Sequence, residues 1–220
     1  KIVLASEKYI GRETFPKNLD GVDANAYLLI TFDGDNEDEL YDVLERAAEI
    51  LVENGAIDCL VADTPSAIKD AWAARSSFLE AIETQYELLD ECDVVVPITK
   101  IAEYINFVNA EAENYMFDVQ SFGHAGDGNL HIYTLSNEVD KHDEFVEEVD
   151  KFMDVIYQKA YDLGGKISGE HGIGFGKLKY LRGFEGDTNT DLMKGIKKVF
   201  DPNLIPVSYT HLTLPTNREV

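Results

Sequence analysis

Two short stretches concentrate the residues able to do chemistry. "SFGHAGDGNLHIYTL" (121–135) sets His124 and His131 seven positions apart among three glycines and an aspartate, and "GGKISGEHGIGFGK" (164–177) places Glu170 directly before His171. Three of the chain's five histidines fall in these two segments. Two imidazoles and one carboxylate form a ligand set that holds a divalent ion while leaving positions open for water or substrate. His124, His131 and Glu170 supply that set if the two segments meet, and the glycines allow both positive φ and close backbone approach. His171, next to a ligand yet aimed elsewhere, is then free to act as a base.

Competing uses of these residues are weaker. Glycine clusters also mark ordinary turns, and a lone histidine is usually a satisfied core or surface residue; two motifs with complementary ligand types outweigh that reading. Neither segment has the Lys-Ser/Thr of a phosphate-binding loop or the glycine spacing of a dinucleotide fold with its downstream acid. Nucleophilic catalysis lacks an elbow serine, and no cysteine stands near the histidines. "DGDNEDEL" (33–40) is not a calcium loop, because Asp38 stands where glycine is needed and Leu44 where the bidentate glutamate is needed.

The elements that must position these residues follow from periodicity. "AYLLITF" (26–32) suits a buried strand closed at Asp33-Gly34, followed by a helix capped by Asn36, with Leu40, Val43, Leu44, Ala47 and Leu51 on one stripe and Gly55 as its stop. "IDCLVAD" (57–63) reads as a second strand, after which Ser66 caps a helix with Ile68, Trp72, Arg75, Leu79, Ile82 and Tyr86 along one face. Arg75 is the odd member of that face, placed either to snorkel and pair with a carboxylate or to bind an anion. "DVVVP" (93–97) is a strand that hands over to a helix near Thr99. Residues 117–123 and 129–135 form two strands joined by the glycine turn, a long amphipathic helix through Phe145, Val149, Phe152, Ile156 and Ala160 ends at Gly164-Gly165, and a last helix covers about 189–200. Short turns between several neighbours favour an α+β fold with a largely antiparallel sheet and helices packed on it over a doubly wound sheet.

Composition narrows the function classes. With 42 acidic against 19 basic residues the formal charge is −23, which repels a phosphate backbone and excludes nucleic acid as a partner. The same charge reads as a solvated surface or as an acidic face that steers a basic protein partner. No run approaches the roughly 20 apolar residues of a membrane helix, and no leader-like segment opens the chain, so a cytoplasmic location is expected. Cys59 and Cys92 stand in separate segments and are expected to be reduced and buried. The chain begins at Lys1 within an ordinary polar segment, as a piece of a longer protein would.

"GHAGDGNLH" (123–131), "SGEHGIGFGK" (168–177) and "FDPN" (200–203) together closely resemble the C-terminal half of FAD-linked oxidases of the D-lactate dehydrogenase and glycolate oxidase flavoprotein-subunit type, related to D-2-hydroxyglutarate dehydrogenase. "AWAAR" (71–75), similar to that family's Trp-x-x-Arg segment, and "DVVVP" extend the likeness over most of the chain. The resemblance implies that residues 1–205 are a ferredoxin-like cap and substrate domain of a two-domain flavoprotein, whose absent N-terminal domain binds most of the FAD. By motif position it implies metal ligation (Zn or Fe) by His124, His131 and Glu170, catalysis by His171, and a grip on the substrate carboxylate by Arg75. The implied reaction is metal-assisted hydride transfer from a small 2-hydroxy acid to FAD, with no turnover expected of this fragment alone. An electron-transfer flavoprotein is the implied partner.

Two departures bear on the substrate. Tyr133 and Glu91 occupy positions where the hydroxyglutarate enzymes carry polar or basic residues, which favours lactate, glycolate or a similar monocarboxylic acid over a dicarboxylate. A non-catalytic metal-binding subunit of the same fold, and a transferase like alkylglycerone-phosphate synthase, are the alternative functions. After "FDPNLIP" the family pattern breaks off, so residues 206–220 are expected to be a non-native tail and His211 is excluded from any site.

Overall fold

The computed structural model describes residues 1–19, 21–174, 176–203 and 205, and the expected non-native tail lies outside the described residues. The chain divides into two compact units, Lys1–Gln85 and the remainder from Tyr86. The architecture is α+β: helices with small antiparallel sheets.

In the first unit, helix α1 (Ile2–Ile10) precedes a short hairpin of β1 (Asn18–Leu19) and β2 (Val22–Asp23), then α2 (Glu37–Glu53), α3 (Pro65–Ser76) and α4 (Phe78–Glu83). Helix α1 packs on α3 and α4, where Val3, Ala5, Ala74, Ala81 and Ile82 are buried. Asn36 caps α2 as expected, its side chain accepting from the amides of Asp38 and Glu39 at 3.0 and 3.4 Å. Helix α3 is capped by Thr64 rather than Ser66, with Pro65 in the first turn, where a missing N–H costs nothing. The single helix expected from 66 onward is two, because the Ser77 hydroxyl and amide both turn back onto the Ala74 carbonyl and end the first run.

Residues 26–32 and 57–63 form no ladder, contrary to the two strands expected there. Apolar and β-branched runs supply propensity, but a strand is completed only by a neighbouring chain that takes its backbone groups. Cys59, in the second of these runs, is accordingly half-buried rather than buried, whereas Cys92 is fully buried and burial pushes its thiol up to about 12.

The second unit contains β3 (Leu88–Val95), α5 (Ile101–Ala112), β4 (Asp118–His124), β5 (Asn129–Ser136), α6 (His142–Asp162) and α7 (Leu178–Phe200). The three strands form one antiparallel sheet in the order β3-β5-β4. Strand alternation divides its residues between two faces. Cys92, Val94, Leu130 and Ile132 point into a core closed by Tyr104 and Val108 of α5 and by Phe145, Phe152 and Ile156 of α6. Phe152 stands edge-on to Tyr115 and Phe117, with centroids 5.4 and 5.2 Å away. The other face carries Glu91, Asp93, His131, Tyr133, Phe122 and His124. Helix α7 starts earlier than the expected 189 and is broken at Gly186, where φ is 75° and ψ 166°.

Candidate metal centre

Register on β3, β5 and β4 decides what meets on the polar face. Across the sheet, Asp93 pairs with His131 and His131 with Phe122; one rung along, Val95 pairs with Asn129 and Asn129 with His124. His124 and His131 are therefore diagonal neighbours on one face, ring centroids 6.1 Å apart. The turn between them closes through Gly128, whose amide donates to the His124 carbonyl at 3.0 Å. Gly128 sits at φ 84°, and a Cβ there would collide with the Val96 carbonyl, so only glycine fits.

The second motif is brought over this face by backbone pairing and one carboxylate. Val95 and Lys166 exchange amide bonds at 3.0 and 2.8 Å, which lays the chain after α6 against the end of β3. Asp93, 1% exposed, then gathers the loop: its carboxylate accepts from Ser168 Oγ at 2.8 Å, from the amides of Gly169 and Glu170 at 3.1 and 3.2 Å, and from the His171 amide at 2.9 Å. Lys177 Nζ completes the shell at 3.3 Å. Burial pushes the Asp93 carboxyl up, but the His171 amide, the Ser168 hydroxyl, the Lys177 charge and the Gly169 amide together outweigh it and hold the group down at about 2. Gly169 packs against Asn129 so closely that a Cβ would overlap its side chain.

Glu170 and His171 arrive beside the histidines of the first motif. His131 Nε2 lies 3.0 Å from Glu170 Oε1, His124 Nε2 lies 4.0 Å from the same oxygen, and His171 Nε2 lies 3.7 Å from it. One ligand atom from each of His124, His131 and Glu170 falls within 4.8 Å of the others. Bonds of about 2.0–2.2 Å to a single ion set neighbouring ligand atoms roughly 3–3.5 Å apart, so small side-chain adjustments bring this set onto one ion. The chemistry of the donors, two imidazole nitrogens and one carboxylate oxygen, fits a borderline divalent cation. His124 and Glu170 are half-exposed and His131 is 5% exposed, which leaves one side of the cluster open.

Glu91 contributes a feature that sequence reasoning treated only as a departure from a pattern. Its Oε1 lies 2.9 Å from His131 Nδ1 and 3.3 Å from His171 Nδ1, and the Tyr133 hydroxyl also bonds to it. Burial raises the Glu91 carboxyl, yet hydrogen bonds from His131 and Tyr133 and the nearby His171 bring it below the usual carboxylate range. The hydrogen bond to Glu91 raises His131 above the ordinary imidazole value against the opposing effect of burial, with the charges of Glu91, Glu170 and Asp93 adding to it. Glu91, His131 and His171 form a second group of close donor atoms that shares His131 with the first.

Of the residues expected to form a site, His124, His131, Glu170 and His171 come together in the second unit. Arg75 belongs to the first unit, on α3, with its guanidinium carbon 5.4 Å from the Phe78 ring centroid. Asp93 and Lys177 were not anticipated. The available signal was an acid inside the apolar strand "DVVVP", which needs several donors to be tolerated there.

Residues 3–205 match the family described as FAD linked oxidases, C-terminal domain. The chain belongs to this family. Among curated relatives of this FAD-linked oxidase domain, the D-lactate dehydrogenase of Anaerostipes hadrus is 53% identical over 205 residues, covering 93% of this chain and 43% of that protein. The glycolate oxidase subunit GlcD of Bacillus subtilis (strain 168) is 36% identical over 182 residues, 83% of this chain and 38% of that protein. A D-2-hydroxyglutarate dehydrogenase of Stutzerimonas stutzeri is 28% identical over 203 residues, 90% of this chain and 43% of that protein. The FAD-linked oxidase domain thus spans less than half the length of these relatives. Among the described residues, no helix is long and apolar enough to cross a membrane.

Proposed function

We propose that the chain is the substrate-side part of a flavin-dependent 2-hydroxy acid dehydrogenase of the D-lactate or glycolate class, with FAD held mainly outside it. The observation that carries this reading is the convergence of His124, His131 and Glu170 on one open-sided cluster with His171 beside them. Those three side chains hold the divalent ion, Zn or Fe, and His171 accepts the substrate hydroxyl proton at Nε2. When bound, the ion supplies Lewis acidity toward that hydroxyl, and the flavin supplies the two-electron acceptor for the Cα–H bond. Arg75 fixes the substrate carboxylate through a charge-assisted fork.

Glu91 supports a monocarboxylic substrate. A carboxylate held below its usual range beside both His131 and His171 adds negative charge where a second substrate carboxylate would have to approach. The formal charge of −23 supports a basic-faced electron acceptor such as an electron-transfer flavoprotein.

The test is anaerobic mixing of the full-length protein with D-lactate while flavin absorbance and metal content are followed. Wild type bleaches; His171→Ala keeps its metal and does not bleach; His131→Ala loses both. Metal retained by wild type without bleaching on D-lactate or glycolate points instead to a metal-binding subunit. Equal metal loss in the two variants refutes the division of roles.

A further inference from the structure

We infer that Glu91 is a positioning residue that fixes the Nδ1 atoms of His131 and His171 at once, leaving the Nε2 atom of each facing Glu170. The inference about His171 rests on the function proposed above; that about His131 needs only the geometry.

A carboxylate oxygen can only accept, so the ring nitrogens at 2.9 and 3.3 Å from Glu91 Oε1 must carry the protons. Glu170 Oε1 makes the same demand on Nε2 of His131, so with no ion between them both nitrogens of that ring carry protons, and a cation that takes the Nε2 position leaves the Nδ1–H form that Glu91 holds. The Nε2 atoms lie on the Glu170 side, 3.0 Å from its Oε1 for His131 and 3.7 Å for His171. The two rings are close, centroids 4.9 Å apart at 31°, and share one anchoring oxygen. The anchor is itself anchored: Glu91 pairs across the sheet with Tyr133, whose hydroxyl bonds to the carboxylate, and stands diagonal to His131 on the same face. This arrangement also separates the two overlapping donor clusters. Nδ1 of His131 is engaged by Glu91 as an N–H donor, so that ring offers Nε2 to a cation and joins the His124 and Glu170 set, and Glu91 acts through the rings.

The experiment uses the full-length protein with nitrogen-15 histidine, loaded with Zn²⁺ so that the ion and not Glu170 occupies Nε2 of His131. Long-range proton–nitrogen spectra are expected to show His131 and His171 as Nδ1–H. Glu91→Leu, which keeps the bulk and removes the acceptor, is expected to lose that single tautomer at His171 and to weaken Zn²⁺ binding, measured by titration with the metal alone, about 10- to 100-fold. Glu91→Gln keeps an acceptor oxygen and is expected to restore the tautomer. An Nε2–H tautomer for His131 in the wild-type protein overturns the inference without any variant, as do an unchanged His171 tautomer and unchanged Zn²⁺ affinity in Glu91→Leu. Failure of the proposed function shows separately, as a wild-type protein with the expected tautomers that does not bleach on any 2-hydroxy acid.

Discussion

Replacing Asp93 by Asn removes one charge and leaves the strand's shape almost unchanged, so its effect isolates what the carboxylate does for the loop over the candidate metal cluster. In the folded chain the group titrates at about 2 against an ordinary value of 3.8, and at 1% exposure solvent does little to screen it. A downward shift of that size corresponds to about 2 kcal/mol of stability at neutral pH. Because the folded value is depressed, this stabilisation is complete above the unfolded value near 4 and disappears as pH falls toward 2. The Asn amide adds a second cost. Its NH₂ group must face one of the Ser168, Gly169, Glu170 or His171 donors, and Lys177 loses its counter-charge, so the total at pH 7 is about 2–4 kcal/mol. Urea denaturation of wild type and Asp93→Asn, followed by circular dichroism at a series of pH values, should show a lower midpoint at unchanged slope for the variant. The gap should narrow as pH falls from about 4 to about 2. A gap that stays constant across that range would mean that packing, not charge, holds the 168–171 loop.

Three further outcomes follow from the same geometry. Gly128→Ala forces a side chain into a left-handed backbone and against the Val96 carbonyl, and should cost about 2 kcal/mol or more in thermal or urea unfolding. Phe152→Ala leaves a cavity at the contact with Tyr115 and Phe117 and should cost about 3–5 kcal/mol, read as a lower urea midpoint. Thiol labelling of the native protein at pH 8 should modify Cys59 and spare Cys92, whose buried thiol is pushed up to about 12; mass spectrometry of peptides distinguishes the two, and labelling becomes equal only in denaturant.

The residues that cluster in the candidate site were legible because their chemical types are rare and grouped in sequence, while the agents that hold them were not. His124, His131, Glu170 and His171 announce themselves as imidazoles and a carboxylate among glycines, and period-two alternation in "NLHIYTL" marks which of their neighbours turn inward. Asp93 and Glu91 sit far from the motifs along the chain; the antiparallel register of β3 on β5 places them beside His131, and the Val95–Lys166 bridge brings His171 onto Asp93. Helices with local caps, such as α2 behind Asn36, were readable for the same reason, since the capping contacts lie within a few residues. The expected strands at 26–32 and 57–63 failed where the local signal was apolar content alone, and the break at Ser77 depended on a hydroxyl competing for one carbonyl.

The alternation along β5 ties the core and the candidate site to a common count of residues. Inserting or deleting one residue ahead of His131 would rotate Leu130 and Ile132 to the open side and drive imidazole and phenol into the aliphatic interior beneath. Drift in this stretch can therefore exchange side chains one position at a time, but it cannot change length without forfeiting both the oily layer and the polar one together.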